Sequence, residues 1–158
     1  VFDPALPPME DFDMWLRIAR YYDLYEIKGK VLAYYYRHSE QATSSKLKVY
    51  DGLVKIYTKA LKNFPEAPRG LMLKRIASNQ YTLSRIYFDD GRYHEAFTNV
   101  LEALGRDPLV GLSFAREKEE WPGKVFKVLK TYAYVVICGI QCILAPFAGR
   151  KDQGTNRA

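Results

Sequence analysis

Cysteine and histidine are scarce in this chain: two of each stand among 158 residues. The cysteines, Cys138 and Cys142, lie four apart in an apolar stretch. With no second pair and no histidine nearby, they indicate neither a closed zinc site nor a disulfide-built secreted scaffold. On a helix they share one face, where cysteine serves as a small, polarizable filler. A glycine-rich phosphate loop is missing, and so is any local nucleophile–base pair. No block of basic residues forms either. The 24 Lys and Arg against 18 Asp and Glu are spread along the chain, with a local excess at Lys124, Lys127, Lys130, Arg150 and Lys151. Nucleic acid is therefore not an expected partner. Basic residues bracketing an apolar run suit an anionic membrane surface instead.

Apolar residues make up 48%, and thirteen tyrosines and eight phenylalanines give a high aromatic content. That composition suits packed helices and carbohydrate-facing surfaces alike, and it confines expected disorder to the polar tail from Arg150 to Ala158. The first residue is Val1, and the opening reads as the interior of a longer protein with no secretory signal in view. The expected organisation is mainly α in three parts: 1–45, 46–112 and 113–158.

In the first part, Phe12, Trp15, Leu16 and Ala19 recur at helical spacing, predicting a helix from about Phe12 to Tyr21 with one apolar face. Asp13 and Arg17, four apart, are expected on its solvated side. Leu24-Tyr25-Glu26-Ile27 and Val31-Leu32-Ala33-Tyr34-Tyr35-Tyr36 read as two strands joined across Lys28-Gly29-Lys30.

The second part is helical. Leu47, Tyr50, Leu53, Val54, Tyr57 and Leu61 form an apolar stripe that ends at Asn63-Phe64-Pro65. A helix is expected from Gly70 to Phe88, a turn at Asp89-Asp90-Gly91, and a further helix from Tyr93 to Leu104. Leu83, Ser84 and Tyr87 in one helix, Ala96 and Ala103 in the next, and Pro108 after it give a pattern that resembles a tetratricopeptide repeat. Small residues let two helices approach while large ones fill the groove between them. A single unit needs neighbouring helices to cover its faces. The resemblance implies a protein partner bound through the repeat.

The third part opens on a charged helix start, Arg116 to Glu120, followed by Trp121-Pro122-Gly123. From Thr131 to Ala148 there are eighteen residues without a charge, at the lower edge of what crosses a bilayer. Lysines before it, Arg150 and Lys151 after it, and nearby tyrosines fit a membrane anchor. A helix buried against the preceding ones is the other reading. The expected location is cytoplasmic, peripheral to or anchored in the cytoplasmic membrane.

The run Phe2-Asp3-Pro4-Ala5-Leu6-Pro7-Pro8-Met9-Glu10-Asp11-Phe12-Asp13-Met14-Trp15-Leu16-Arg17 resembles the acceptor-side motif of the family-2 glycosyltransferases of the GT-A fold. There, F-D-x-x-L-x-x-x-E-D-x-D-L-W-L-R-L carries the catalytic base. Taken alone, Glu10-Asp11 also reads as an acidic pair stabilising a helix start. Downstream, Tyr36-Arg37-His38-Ser39-Glu40-Gln41-Ala42-Thr43-Ser44 is similar to the family's Y-R-x-H-x-x-Q-x-S, with the histidine one place nearer the arginine.

The resemblance covers the first 45 residues or so. It implies the C-terminal end of an α/β catalytic domain, including the helix and the strand pair. It also implies inverting transfer of a sugar from a nucleotide-diphosphate donor to a saccharide, lipid-linked or protein acceptor. In that chemistry a carboxylate removes the acceptor hydroxyl's proton as its oxygen attacks the anomeric carbon. By resemblance Asp11 is the base, Glu10 orients the acceptor, Arg37 contacts the diphosphate, and His38 contacts a divalent metal (Mn or Mg). His38 on its own reads equally as a structural histidine. Asp11-Phe12-Asp13 has the Asp-x-Asp form of the family's metal motif, yet it precedes a helix rather than ending an apolar strand, so it does not take that role. The nucleotide-binding strands and the metal motif are absent from these residues, and the segment is not expected to catalyse transfer alone. A second reading stands beside this one: a non-enzymatic helical-repeat interaction module, membrane-associated, in which the opening segment only packs.

Overall fold

The computed structural model describes residues 2–34, 36, 41, 44–114 and 121–148. Among them the architecture is helical: α1 (Glu10–Ile18), α2 (Lys46–Asn63), α3 (Arg69–Asp89), α4 (Tyr93–Arg106), a 3-10 turn (Val110–Phe114) and α5 (Trp121–Ala148). No strand occurs among the described residues.

α3 is the central helix, and its sequence shows why. Ile76, Ala77, Gln80, Tyr81, Leu83 and Ser84 are all buried, a doubled i, i+3/i+4 stripe wide enough to face α2 on one side and α4 on the other. From α4 come Ala96, Val100 and Ala103, at the spacing of one narrow face and each fully buried. Small residues at both ends of that line let the helix axes approach. Ala77, Tyr81, Val100, Ala103 and Val110 make the main core, with Phe97, Leu104, Tyr134 and Val135 packed around it.

The α3–α4 turn is built by Gly91, whose φ of +74° is a left-handed conformation that L side chains rarely adopt. Its N–H donates to the Phe88 carbonyl at 3.0 Å and the Arg92 N–H donates to the Tyr87 carbonyl at 2.8 Å. That pair is the Schellman pattern of a helix C-terminus, satisfying carbonyls the helix leaves open. The turn expected at Asp89-Asp90-Gly91 is thus present, and both flanking helices extend one or two residues beyond their expected ends.

In α2 the buried line is Gly52, Ile56 and Ala60, not the stripe of large residues expected there. Leu47, Leu53, Val54, Tyr57 and Leu61 are only half-buried. Gly52 and Ala60 permit close approach on either side of Ile56, which fills the centre of the seam, and the other large residues flank it. The strand pair is also corrected. Leu24, Tyr25, Ile27, Val31, Leu32, Tyr34 and Tyr36 are all exposed, and among the described residues no backbone hydrogen bond joins the two runs. A strand is stable only when a neighbour takes up its N–H and C=O groups, and no described segment does so.

α5 begins at Trp121 and runs through Pro122 and Gly123 without a break, since proline in the first turn removes a donor the helix would leave unpaired. It is held by Gly111, where an added Cβ would stand 2.8 Å from the Lys127 carbonyl oxygen and 2.7 Å from Thr131 Oγ1. The Thr131 hydroxyl is itself fixed by donation to that carbonyl at 3.0 Å. Higher up, the Tyr134 hydroxyl donates to the Ser84 carbonyl at 3.1 Å. Cys138 is fully buried, as a small filler should be, and both cysteines are free thiols.

Gly111→Ala is expected to lower stability by about 1–3 kcal/mol, because the obstructing atom is backbone and cannot swing aside. Thermal melting reads the loss. Gly52→Ala is the comparison: its close neighbours are Met9 Cγ at 2.9 Å and Cβ at 3.3 Å, side-chain atoms of the short opening segment that must give by a few tenths of an ångström. Alanine also favours a helix interior by about 1 kcal/mol, so that variant should melt within a few degrees of the parent.

Candidate functional site

The Phe2–Arg17 motif folds as a turn and a short helix resting on α2. Pro7-Pro8 is a cis peptide bond, and the chain reverses there into α1. Leu6 is buried, Met9 reaches Gly52 of α2, and Phe12 meets Tyr57 edge-on with ring centroids 5.8 Å apart. At the far end Arg20 pairs with Glu66 and lies over the Phe64 ring, 4.3 Å from its centroid. The buried face of α1 is therefore set by Met9, Phe12, Asp13 and Leu16. Trp15, expected in the core, is 50% exposed, and Ala19 is also outside.

Four carboxylates occupy this segment, and the structure divides them. Asp13, expected on a solvated face, is only 3% exposed. It accepts from Arg17 Nε at 3.0 Å and meets Lys59 Nζ at 2.9 Å. Asp3 takes the same ammonium at 2.7 Å and also accepts from the Ala5 N–H at 3.0 Å. The hydrogen bond from Lys59 holds the Asp3 carboxyl below its ordinary range, and the reciprocal bond raises Lys59 above its own. Asp3 and Asp13 are thus bound up in attaching the segment to α2.

Asp11 is different. It is exposed on the first turn, in no ion pair among the described residues, and its Oδ1 accepts from the Phe12 N–H at 2.7 Å. Glu10 is half-buried, and its Oε2 is enclosed with no hydrogen-bond partner among the described residues. A buried oxygen without a donor is costly, so this atom is a candidate acceptor for a ligand hydroxyl.

Of the four residues the sequence nominated, Glu10 and Asp11 are thus brought together at the start of α1. Arg37 and His38 lie outside the described residues. Among the described residues no three of His, Cys, Asp and Glu gather as a metal site. His38, the nominated metal contact, is not among those residues, and no chemical step is assigned to a cation.

Lys59 is the residue that sequence reasoning missed. It reads as one more solvated helix position, and its partners are 46 and 56 residues away, so no local pattern reveals it. Gln80 was missed for the same reason. It is 3% exposed and accepts from Arg106 Nη1 at 2.9 Å, while its amide donates to Glu102. No protein family, curated protein or solved structure matches the chain.

Proposed function

We propose that the segment from Phe2 to Arg17 is the acceptor side of an inverting, family-2-like glycosyl-transfer site, with Asp11 as general base and Glu10 as acceptor-orienting residue. The observation that carries the reading is the division of labour among the carboxylates. In a motif holding four acids, two are consumed by Lys59 and Arg17, while Asp11 is solvent-accessible at a helix start. Helix-start stabilisation accounts for an acid in the first turn, but not for a Glu10 Oε2 enclosed without a donor among the described residues. That oxygen offers a second acceptor beside Asp11.

In this reading a sugar moves from a nucleotide-diphosphate donor to a saccharide, lipid-linked or protein acceptor. Arg37 and His38 are assigned to the diphosphate and to a divalent cation by motif alone. The reading also requires a nucleotide-binding half with its own Asp-x-Asp motif, which these residues do not contain. We read the α3–α4 hairpin as one tetratricopeptide-like unit. Support comes from buried Leu83, Ser84, Ala96 and Ala103 and from the left-handed Gly91, the small–large pattern such a unit uses. It would serve as a protein-docking accessory to the transfer domain.

The test is transfer assayed on the encoded protein read from its own start codon, scoring nucleoside diphosphate released from a panel of nucleotide sugars with and without saccharide acceptors. Donor turnover that depends on Asp11 supports the proposal. A reading frame with no strand-rich nucleotide domain before Val1 removes it and leaves the interaction module.

A further inference from the structure

The usual amphipathic arrangement is inverted on α5. Its inward face carries Thr131, Tyr134 and Cys138, while Val125, Leu129, Val136, Ile140, Ile143 and Leu144 are all exposed. These six lie on one side of the helix at 100° per residue and extend for roughly 30 Å. Only 11% of the most apolar stretch between Pro122 and Pro146 is buried, so packing by the described residues does not account for its composition. Exposed apolar patches of this extent mark a surface that something covers.

Beside that face lies a cleft of about 340 Å³ between α3 and α5, lined by Arg85, Lys127 and Lys130 together with Tyr81 and Thr82. It continues into a second hollow of about 260 Å³, where Arg85 and Lys130 recur and Asp89 is the acidic neighbour. Among the described residues Arg85 and Lys130 face a single carboxylate, Asp89, and make the cleft electropositive. Lys130 sits on the α5 surface between the cleft and the apolar face.

We propose that α5 lies along an anionic phospholipid membrane, its apolar face in the boundary between headgroups and acyl chains and a lipid phosphate seated in the cleft beside Arg85 and Lys130. An interfacial helix needs a continuous apolar face with cations at its margin, and α5 has both. A protein partner is disfavoured by the chemistry of the face. Interfaces between proteins carry about one hydrogen bond per 100–200 Å², whereas this strip is hydrocarbon apart from Tyr132, whose hydroxyl already donates to the Pro108 carbonyl.

A spanning orientation is disfavoured by what the opposite side holds. Phe97 of α4 packs against Gly139, 3.4 Å from where a Cβ would stand. Crossing the bilayer would draw α4 and its Glu95, Glu102 and Arg106 into the hydrocarbon, at high cost. The proposal is independent of the sugar-transfer reading.

Flotation of the full chain is the test, using vesicles of phosphatidylcholine alone and of phosphatidylcholine with about one third phosphatidylserine. Binding is expected to the anionic vesicles. Arg85→Gln and Lys130→Gln should each weaken it about fivefold, and the pair about 25-fold. Arg85→Lys and Lys130→Arg should keep it, and Val136→Ser with Ile140→Ser should abolish it while circular dichroism stays helical. Millimolar inorganic phosphate should leave binding intact, since it supplies no acyl chain; displacement by phosphate would show a soluble-anion site and overturn the proposal. Equal binding to phosphatidylcholine alone, or an unchanged Arg85→Gln/Lys130→Gln variant, would also overturn it. So would a dimer in sedimentation velocity that Val136→Ser with Ile140→Ser dissolves, because the face would then belong to a second copy.

Discussion

Asp11→Asn is expected to lower sugar transfer by about 10²–10⁴-fold, the range a positioned general base contributes, while donor binding stays close to the parent value. The asparagine is nearly isosteric and can still accept from the Phe12 N–H, as Asp11 Oδ1 does at 2.7 Å, so α1 should be undisturbed. What disappears is the capacity to take a proton. The loss should fall on kcat, with little change in the acceptor KM, because a base acts in the transition state.

Asp13→Asn supplies the contrast. It removes a charge that faces Lys59 and Arg17, so its effect should appear as loosened packing of α1 rather than as a selective kcat defect. If Asp11→Asn turns over normally while Asp13→Asn is impaired, the acids of this motif are structural and the transfer reading fails.

Lys59→Met is expected to release the opening segment from α2. Asp13 would keep only Arg17, and Asp3 would lose its partner across 56 residues of chain. Removing one member of a largely buried ion pair costs about 3–5 kcal/mol. The buried end is Asp13, whose side chain is 4% exposed; because Arg17 stays beside it and Lys59 is itself partly exposed, the expectation falls to about 2–3 kcal/mol. Hydrogen exchange locates it: amides of α1 should exchange about 30–150-fold faster while those of α3 and α4 hold their protection.

The same tether has a pH window. Asp3 is lowered from 3.8 by its bond to Lys59, so its contribution is present above that value and is lost as pH falls through the still lower folded value. Lys59 is raised from 10.5 by its bond to Asp3. Its contribution is present below that value and is lost as pH rises through the higher folded one. Protection of α1 should therefore be flat from about pH 4 to 10 and fall off on both sides.

Several parts of this protein are local properties of the chain. The α3 and α4 boundaries, the stop of α2 at Phe64-Pro65 and the α3–α4 turn follow from periodicity, proline and a glycine free to take positive φ. These are matters of a few neighbouring residues, so the sequence states them directly. The Glu10-Asp11 pair at a helix start and the apolar character of 131–148 were equally legible.

Other features depended on partners far along the chain. Trp15 and Asp13 exchanged their expected places because Lys59 of α2, remote in sequence, draws a carboxylate inward. Leu24–Ile27 and the residues after Lys30 have strand-like composition, yet a strand is made by its neighbour, and none of the described elements supplies one. The seam of α2 ran through Gly52, Ile56 and Ala60 rather than along the stripe of large residues, because small residues on either side of Ile56 let neighbouring segments approach. On α5 the sequence reported only that the helix is apolar. Which side faces the bundle was decided by Gly111, Thr131 and Tyr134, through close backbone approach and hydrogen bonds to α3. The opening acids show the same division of labour. Composition identified four carboxylates, and only folding separated the two that hold the segment in place from the two at the mouth of the helix, because burial and ion pairing are properties of assembled elements.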